Sequence, residues 1–555
     1  MTNFFNRLGY ASIFDYLLKV GLPIFALCGI MFFTVRALSI GLYVDFIVLS
    51  IGFLFVLLYP IIVNEKRRIS IDQNLHFFIT YGGALSTVGL SRPQFFKMLG
   101  EKKHYGYTSE LMKKMVYVAK RWNVGFAKTT RKLAKLCPSK ILSGFLYRLA
   151  SSLDFGVDLQ NFLWEEQDSL MSDYSTQYKQ SIENISMLRE MYIALTISFA
   201  FAMSAALLLP MILGIPMETA LKFGIVGIIT IDLIMLVLVQ AFIPPDRLIH
   251  KLKHKDELSR IAFPLFCLAL AMCSVIFYFL FMLTDLDFLV TFAISCTPLF
   301  FIGLLGRKIE KEVSERDRDF PAFIRSLGST LYAQGTSVTT SLKSLIVHEL
   351  GSLNKLVENL YKRLYLRINN ERAWYFFSAE SGSNLINQFV NIFYEAIYLG
   401  GHPVKIGEIV SKNFQKQVSL RKLRLQMASS LRGALYGALV GFVGTIYISF
   451  AISGSLSEMF ASAQTDVALE GQFSGLAAPL FPSPEESVAP ESSVAFMLAI
   501  IVIVHAFFSS FMLKMIDGGS KYSMFLDFVL MIGLGAAIVL LMPLFVANLI
   551  SPMEV

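Results

Sequence analysis

The residue types that would carry catalysis are absent from this chain or scattered along it. The dipeptide Gly-Lys occurs nowhere, so no glycine-rich loop ends in the lysine and hydroxyl that hold nucleotide phosphates and their Mg²⁺. No G-x-G-x-x-G sits between a strand and a helix, and no nucleophile elbow stands out. The histidines show no H-E-x-x-H or other ligand spacing. No two cysteines form a C-x-x-C pair. Cys28, Cys267, Cys273 and Cys296 fall in apolar runs and Cys137 in a polar one, so they read as small apolar side chains. The sequence therefore offers no catalytic residue, no metal set and no cofactor site. The polar chemistry that stands out is intramembrane: Asp232 in GIITIDLIML, with Gln240 further along, and His505 in IVIVHAFF. Such groups are costly in lipid. They could form a proton or ion path, or tie helices by hydrogen bonds. One deep carboxylate and one deep histidine are few for a path, which favours the tie.

The elements around these residues are membrane spans. The chain is 55% hydrophobic and 16% charged. Charge-free runs such as Met191–Met217, Ile261–Thr284 and Gly433–Ser457 exceed the roughly 20 residues that cross a bilayer. Nine spans are predicted, at 18–35, 42–63, 191–213, 223–243, 261–282, 287–306, 431–453, 494–514 and 525–549. The first lacks a small-x-small cleavage site and reads as retained. Segment 64–189 carries 19 Lys+Arg against 11 Asp+Glu, and segment 307–430 carries 18 against 11. The loop 244–260 is also basic, whereas 454–493 is acidic and 283–287 likewise. The positive-inside bias then puts the N-terminus in the cytoplasm and the C-terminus outside, in a multi-pass cell-membrane protein. Arg36 and Lys222, at the outer ends of spans, run against this trend.

Both long polar segments read as helices throughout. Their breaks fall at Gly89, Gly100, Tyr105-Gly106, Cys137-Pro138-Ser139 and Gly156, and again at Gly335, Gly351, Ser381-Gly382 and Gly400-Gly401. Phe77–Leu99 and Phe323–Leu345 align without a gap, matching Phe77/Phe323, Gly82/Gly328, Leu85/Leu331, Gly89/Gly335, Ser91/Ser337, Lys97/Lys343 and Leu99/Leu345. Self-similarity at this scale points to a duplicated unit. The expected fold is an all-α integral membrane protein with nine spans and two duplicated cytoplasmic helical bundles. The domains are a transmembrane pair at 1–63, a first bundle at 64–190, and four central spans at 191–306. A second bundle follows at 307–430, then C-terminal spans at 431–555. The outer loop 454–493, rich in Ala, Ser, Gly and Pro, is expected to be flexible.

Two surfaces suggest partners. Gly433, Gly437 and Gly441 form a tandem G-x-x-x-G that would let helices pack closely or let copies associate. The polar segments have net charges of +8 (19 − 11) and +7 (18 − 11). That charge suits anionic headgroups or an acidic protein, and no nucleic-acid-binding fold accompanies it. Candidate docking residues, chosen by charge and position, are Arg92, Lys97, Arg247, Lys251, Lys253, Arg316, Arg318, Arg325 and Lys343.

Two helical cytoplasmic domains, each following a span pair and returning through a long helix, resemble the platform proteins of type II secretion and type IV pilus assembly. FPAFIRSLGSTLYAQGTSVTTSLKSL (320–345) looks like that family's domain start. The first copy lacks the Phe-Pro opening and carries Arg92-Pro93 after Ser91. The layout is most similar to the archaeal, archaellum-building branch, with adhesive-pilus platforms as near neighbours. The resemblance implies a non-enzymatic, dimeric platform. Its cytoplasmic domains would engage a hexameric ATPase, and it would pass pilin-like (archaellin) subunits into a filament alongside other machine components. The competing classes are a secondary transporter, with flux depending on Asp232, and a receptor acting through 454–493. The strongest repeat lies in the polar segments, which speaks against a transporter.

Overall fold

A computed structural model of the protein describes residues 71–72, 74–213, 217–244, 246–254, 256–284, 286–469 and 491–550. The predicted spans 18–35 and 42–63 lie outside them. The described chain is helical, and its one extended pairing is an isolated antiparallel bridge between Ile249 and Ser383. It divides into two compact units, Met1–Tyr174 and Ser175–Val555.

The first unit is a bundle of α1 (74–86), α2 (Arg92–Glu101), α3 (Tyr107–Arg121), α4 (Phe126–Leu136), α5 (Lys140–Phe155) and the start of α6 (Leu159–Leu213). Phe78, Tyr81, Phe95, Phe96 and Phe145 fill its core. Trp164 adds an indole N–H donated to the Gly83 carbonyl. The turns behave as their sequence demands. Gly89 and Gly156 take positive φ (73° at each), conformations that cost glycine least. Ser139 caps α5, accepting from the Leu142 amide at 3.1 Å, and its hydroxyl donates to Asp72.

In the second unit, spans and a second bundle share helices. Its elements include α7 (Met217–Phe242), α8 (Glu257–Leu283), α9 (Phe288–Ser295) and α10 (Thr297–Gln334). The smaller helices are α11 (Val338–Ile346), α12 (Asn354–Tyr365), α13 (Asn370–Ser381) and α14 (Asn384–Tyr398). α15 (Pro403–Leu469), α16 (Glu491–Asp517) and α17 (Met524–Ile550) complete it. Phe320, Phe323, Trp374, Phe377, Phe389 and Phe393 make the bundle core. Ser383 caps α14 through the Ile386 amide at 3.2 Å and donates to Asp317. A Cβ on Gly328 would lie 2.6 Å from the Pro403 carbonyl, so α10 and α15 meet there at backbone contact. On Gly82 the same atom would meet only side chains at 3.9 Å.

Six helices (α6, α7, α8, α15, α16 and α17) are long and apolar enough to cross a membrane, and α9 with α10 makes a seventh if that pair, bent by 44°, is one span. These coincide with the predicted spans from 191 onward. The bend follows from Pro298, which starts α10 and cannot continue α9's hydrogen-bond ladder. One expectation needs correction. Residues 454–469 continue α15 as helix rather than opening a loop, while 470–490 lie outside the described residues. The break expected at Gly100 falls one residue later, where α2 ends at Glu101. The turns at 122–125 and 366–369 carried no expected break. Their left-handed positions belong to Asn123 and Arg367 (φ 49° and 54°), not to glycine.

Candidate functional site

The two intramembrane residues singled out in the sequence meet. Asp232 on α7 and His505 on α16 are buried, with Nδ1 at 3.2 and 3.3 Å from the carboxylate oxygens. Tyr192 of α6 donates its hydroxyl to Asp232 at 2.7 Å and lies 2.9 Å from the Ser509 hydroxyl. The Phe442 ring of α15 closes the site 4.9 Å from the imidazole. The carboxylate thus receives donors from two other helices, and the quartet ties α6, α7 and α16 together. Gln240 is exposed and takes no part. Tyr192 and Ser509 went unread in the sequence because an isolated hydroxyl in an apolar run is common.

At the end of the spans from which the second bundle continues lies a larger network that sequence reasoning missed. Arg307 (α10) and Arg432 (α15) face Asp517 (α16) and Asp527 (α17). Arg307 donates to Asp527 at 2.9 Å and lies 3.6 Å from Asp517. Arg432 is 3.0 Å from each aspartate. Tyr436 donates to Asp527 at 3.1 Å. Two cations alternating with two anions make a neutral square across four helices. Nearby, Glu310 accepts from the Ser520 amide and the Ser523 hydroxyl, both at 2.6 Å. A Cβ on Gly303 would fall 2.3 Å from the Leu526 amide nitrogen, so α10 and α17 are in backbone contact.

The loop between α7 and α8 is clamped to the second bundle. Arg421 on α15 donates twice to Asp246, at 2.6 Å each, and once to Asp317 at 2.7 Å. Arg424, one turn on, donates to the carbonyls of Asp246, Met515 and Ile516. It thereby links the loop to the end of α16. Two carboxylates share one buried guanidinium, and burial pushes the Asp317 carboxyl up to about 6 although Arg421 and Ser383 favour its charged form. Burial likewise pushes the Tyr178 phenol up to about 12, opposed by Arg424. His250 finishes the clamp. Its Nε2–H donates to the Ala379 carbonyl at 2.8 Å, and its Nδ1 accepts from the Leu252 amide at 3.1 Å. That pairing requires the neutral ring, and burial lowers its pKa accordingly.

The predicted docking residues scatter. Arg92, Lys97, Arg247, Lys251, Lys253, Arg318, Arg325 and Lys343 are exposed. Of these, Lys97 lies 3.8 Å from Glu101, Arg318 is 3.1 Å from Asp319, and Arg325 donates to Ser411. Arg316 is instead turned inward. It pairs with Glu312 and Asp256 and donates to the carbonyls of Glu380 and Ser381, which removes it from the docking set. Gly433, Gly437 and Gly441 have open space where a Cβ would stand, so they pack against no described helix of this chain. No group of three or more metal-binding side chains gathers among the described residues.

Two curated relatives align along most of the chain. Flagella accessory protein J of Methanocaldococcus jannaschii is 30% identical over 558 residues, covering 97% of this chain and 96% of that protein. Flagella accessory protein J of Methanococcus voltae is 28% identical over 493 residues, 86% of each. An uncharacterized protein of Methanocaldococcus jannaschii is 29% identical over 227 residues, 38% of this chain and 37% of its own length. No family model and no solved structure matches.

Proposed function

Since the chain belongs to the flagella accessory protein J family, we propose that it is the membrane platform of an archaellum, coupling a cytoplasmic hexameric ATPase to assembly of a filament of pilin-like subunits. It is a multi-pass membrane protein of archaellum assembly and motility. On this reading the platform catalyses nothing itself, and it transmits work from a motor to the membrane.

The observation that carries the reading is mechanical. α10 and α15 run unbroken from candidate spans into the second bundle, and the Arg421–Arg424 clamp fastens the adjoining loop and the end of α16 to them. A push on that bundle therefore reaches several spans at once. The reading includes nine spans, a cytoplasmic N-terminus, an external C-terminus, a homodimer and two duplicated bundles. Matching helix order supports the duplication. So do the positive φ at Gly89 and Gly335 and the serine caps that both donate to an aspartate.

The full-length protein in nanodiscs tests it. The cognate ATPase should be retained at low salt and, with filament subunits present, ATP should drive filament growth. Failure of the intact protein to retain the ATPase at any salt would sink the reading.

A further inference from the structure

The two bundles place their charge differently. Across α3 to α5, residues 107–155, the first carries ten Lys+Arg and two Asp+Glu, a net +8 (10 − 2). Across α12 to α14, residues 354–398, the second carries five and four, a net +1 (5 − 4). Lys120, Arg121, Lys128 and Lys132 are exposed on α3 and α4. Among them stand two exposed rings, Trp122 at 63% and Tyr117 at 61%. The Lys132 ammonium and the Arg121 guanidinium lie 6.0 Å from the Trp122 and Tyr117 rings respectively.

The bundle's own connectivity says which way this surface faces. Short turns at 122–125 and 137–139 make α3, α4 and α5 run alternately up and down. Trp122 therefore shares an end with Phe155, the last residue of α5. Ser139, at the opposite end, is tied to Asp72. Asp72 follows the predicted span 42–63 by only nine residues (72 − 63), so the Ser139 end is the one near the bilayer. The 15-residue α3 then holds Trp122 about 22 Å further out, beyond a Debye length of about 8–10 Å. Lipid headgroups at that distance are screened and out of contact. A cytoplasmic protein with an acidic face is the occupant that the charge fits, and aromatic rings among cations are what anchor such contacts.

We propose that the Trp122 end of the first bundle, with the basic face of α3 and α4, is the docking surface for an acidic face of the motor ATPase, Trp122 being its central anchor. This rests on the platform reading and assigns the encounter to one bundle, leaving the other to transmit.

The test titrates the purified hexameric ATPase onto full-length protein in nanodiscs at low and high salt. Trp122→Ala should weaken binding at least about tenfold. The combined Lys120→Glu, Arg121→Glu and Lys132→Glu variant should abolish it and flatten the salt dependence. The corresponding turn of the second bundle, changed by Tyr365→Ala, Leu366→Ala and Arg367→Glu, should leave affinity within about twofold. If the triple reversal lowers the melting temperature, the single Lys128→Glu change, which should cost several-fold, replaces it. Loss of binding confined to the second-bundle variant would overturn the proposal, as would first-bundle variants that bind like wild type. Wild type that retains no ATPase would remove the platform reading itself, a distinct outcome. Brominated anionic lipids quenching a Trp122-dependent share of the emission would give the surface to the bilayer and also overturn it.

Discussion

The two bundles use one local device and attach it to different surroundings. In each, a serine caps the fifth helix and donates to an aspartate. In the first, Asp72 is half-buried. In the second, Asp317 is buried and also receives Arg421, which holds Asp246 and so the loop between two spans. In the second bundle the cap is thus a node of a buried ionic network. Self-similar sequence does not imply equal duty: the second bundle holds Asp317 and Asp246 on one buried guanidinium, and the first keeps its charge on its middle helices.

The largest break in this comparison should come from Arg421→Met, which leaves Asp246 and Asp317 buried without their cation. A loss of about 3–5 kcal/mol is expected in unfolding measurements in nanodiscs. Adding Asp246→Asn and Asp317→Asn should restore most of it. Next come the paired glycines of the repeat. Gly328→Ala should cost about 1–3 kcal/mol, because the new Cβ meets backbone. Gly82→Ala should fall between neutral and a gain of about 1 kcal/mol from helix propensity. Equal costs at the two positions would erase the distinction.

A smaller effect should follow pH. Burial lowers the His250 pKa, so what the neutral ring contributes is complete above the ordinary imidazole value near 6.5 and is lost as pH falls below it. Amide exchange at Leu252 and Asn384, corrected for intrinsic rates, should accelerate on mild acidification, while that of Leu142 at the first bundle's cap should not. Asp317 pulls the other way. Its carboxyl, pushed up to about 6, favours the fold more as pH falls from there, so in His250→Gln the same amides should exchange no faster. The smallest change is Gly437→Ala, which meets nothing within the chain and should alter stability by about 0–1 kcal/mol. A fall in cross-linked dimer in that variant would give the open stripe to a second copy.

The spans from 191 onward and most bundle breaks were legible because they rest on local signals: apolar run length and glycines at left-handed positions. The turns at Asn123 and Arg367 were not, since neither residue type demands that conformation. The types at the intramembrane site were legible, but the pairing of Asp232 with His505, 273 residues apart, is a product of packing. The ionic square and the Arg421 clamp were illegible for the same reason. Arg316 shows the converse error, in which a basic residue near a domain start looks like a docking group until its partners Asp256 and Glu312 are in place.

The ionic square also bears on how the protein is made. Arg307 and Arg432 leave the ribosome before Asp517 and Asp527, and Arg307 waits 220 residues for its nearest counter-ion. Until the last two helices are inserted, both guanidiniums stand without their aspartates at the ends of spans already in place. Completion of translation is thereby recorded as charge neutralisation. A chain ending before α16 lacks both aspartates and so leaves the two guanidiniums at this spot without these counter-ions.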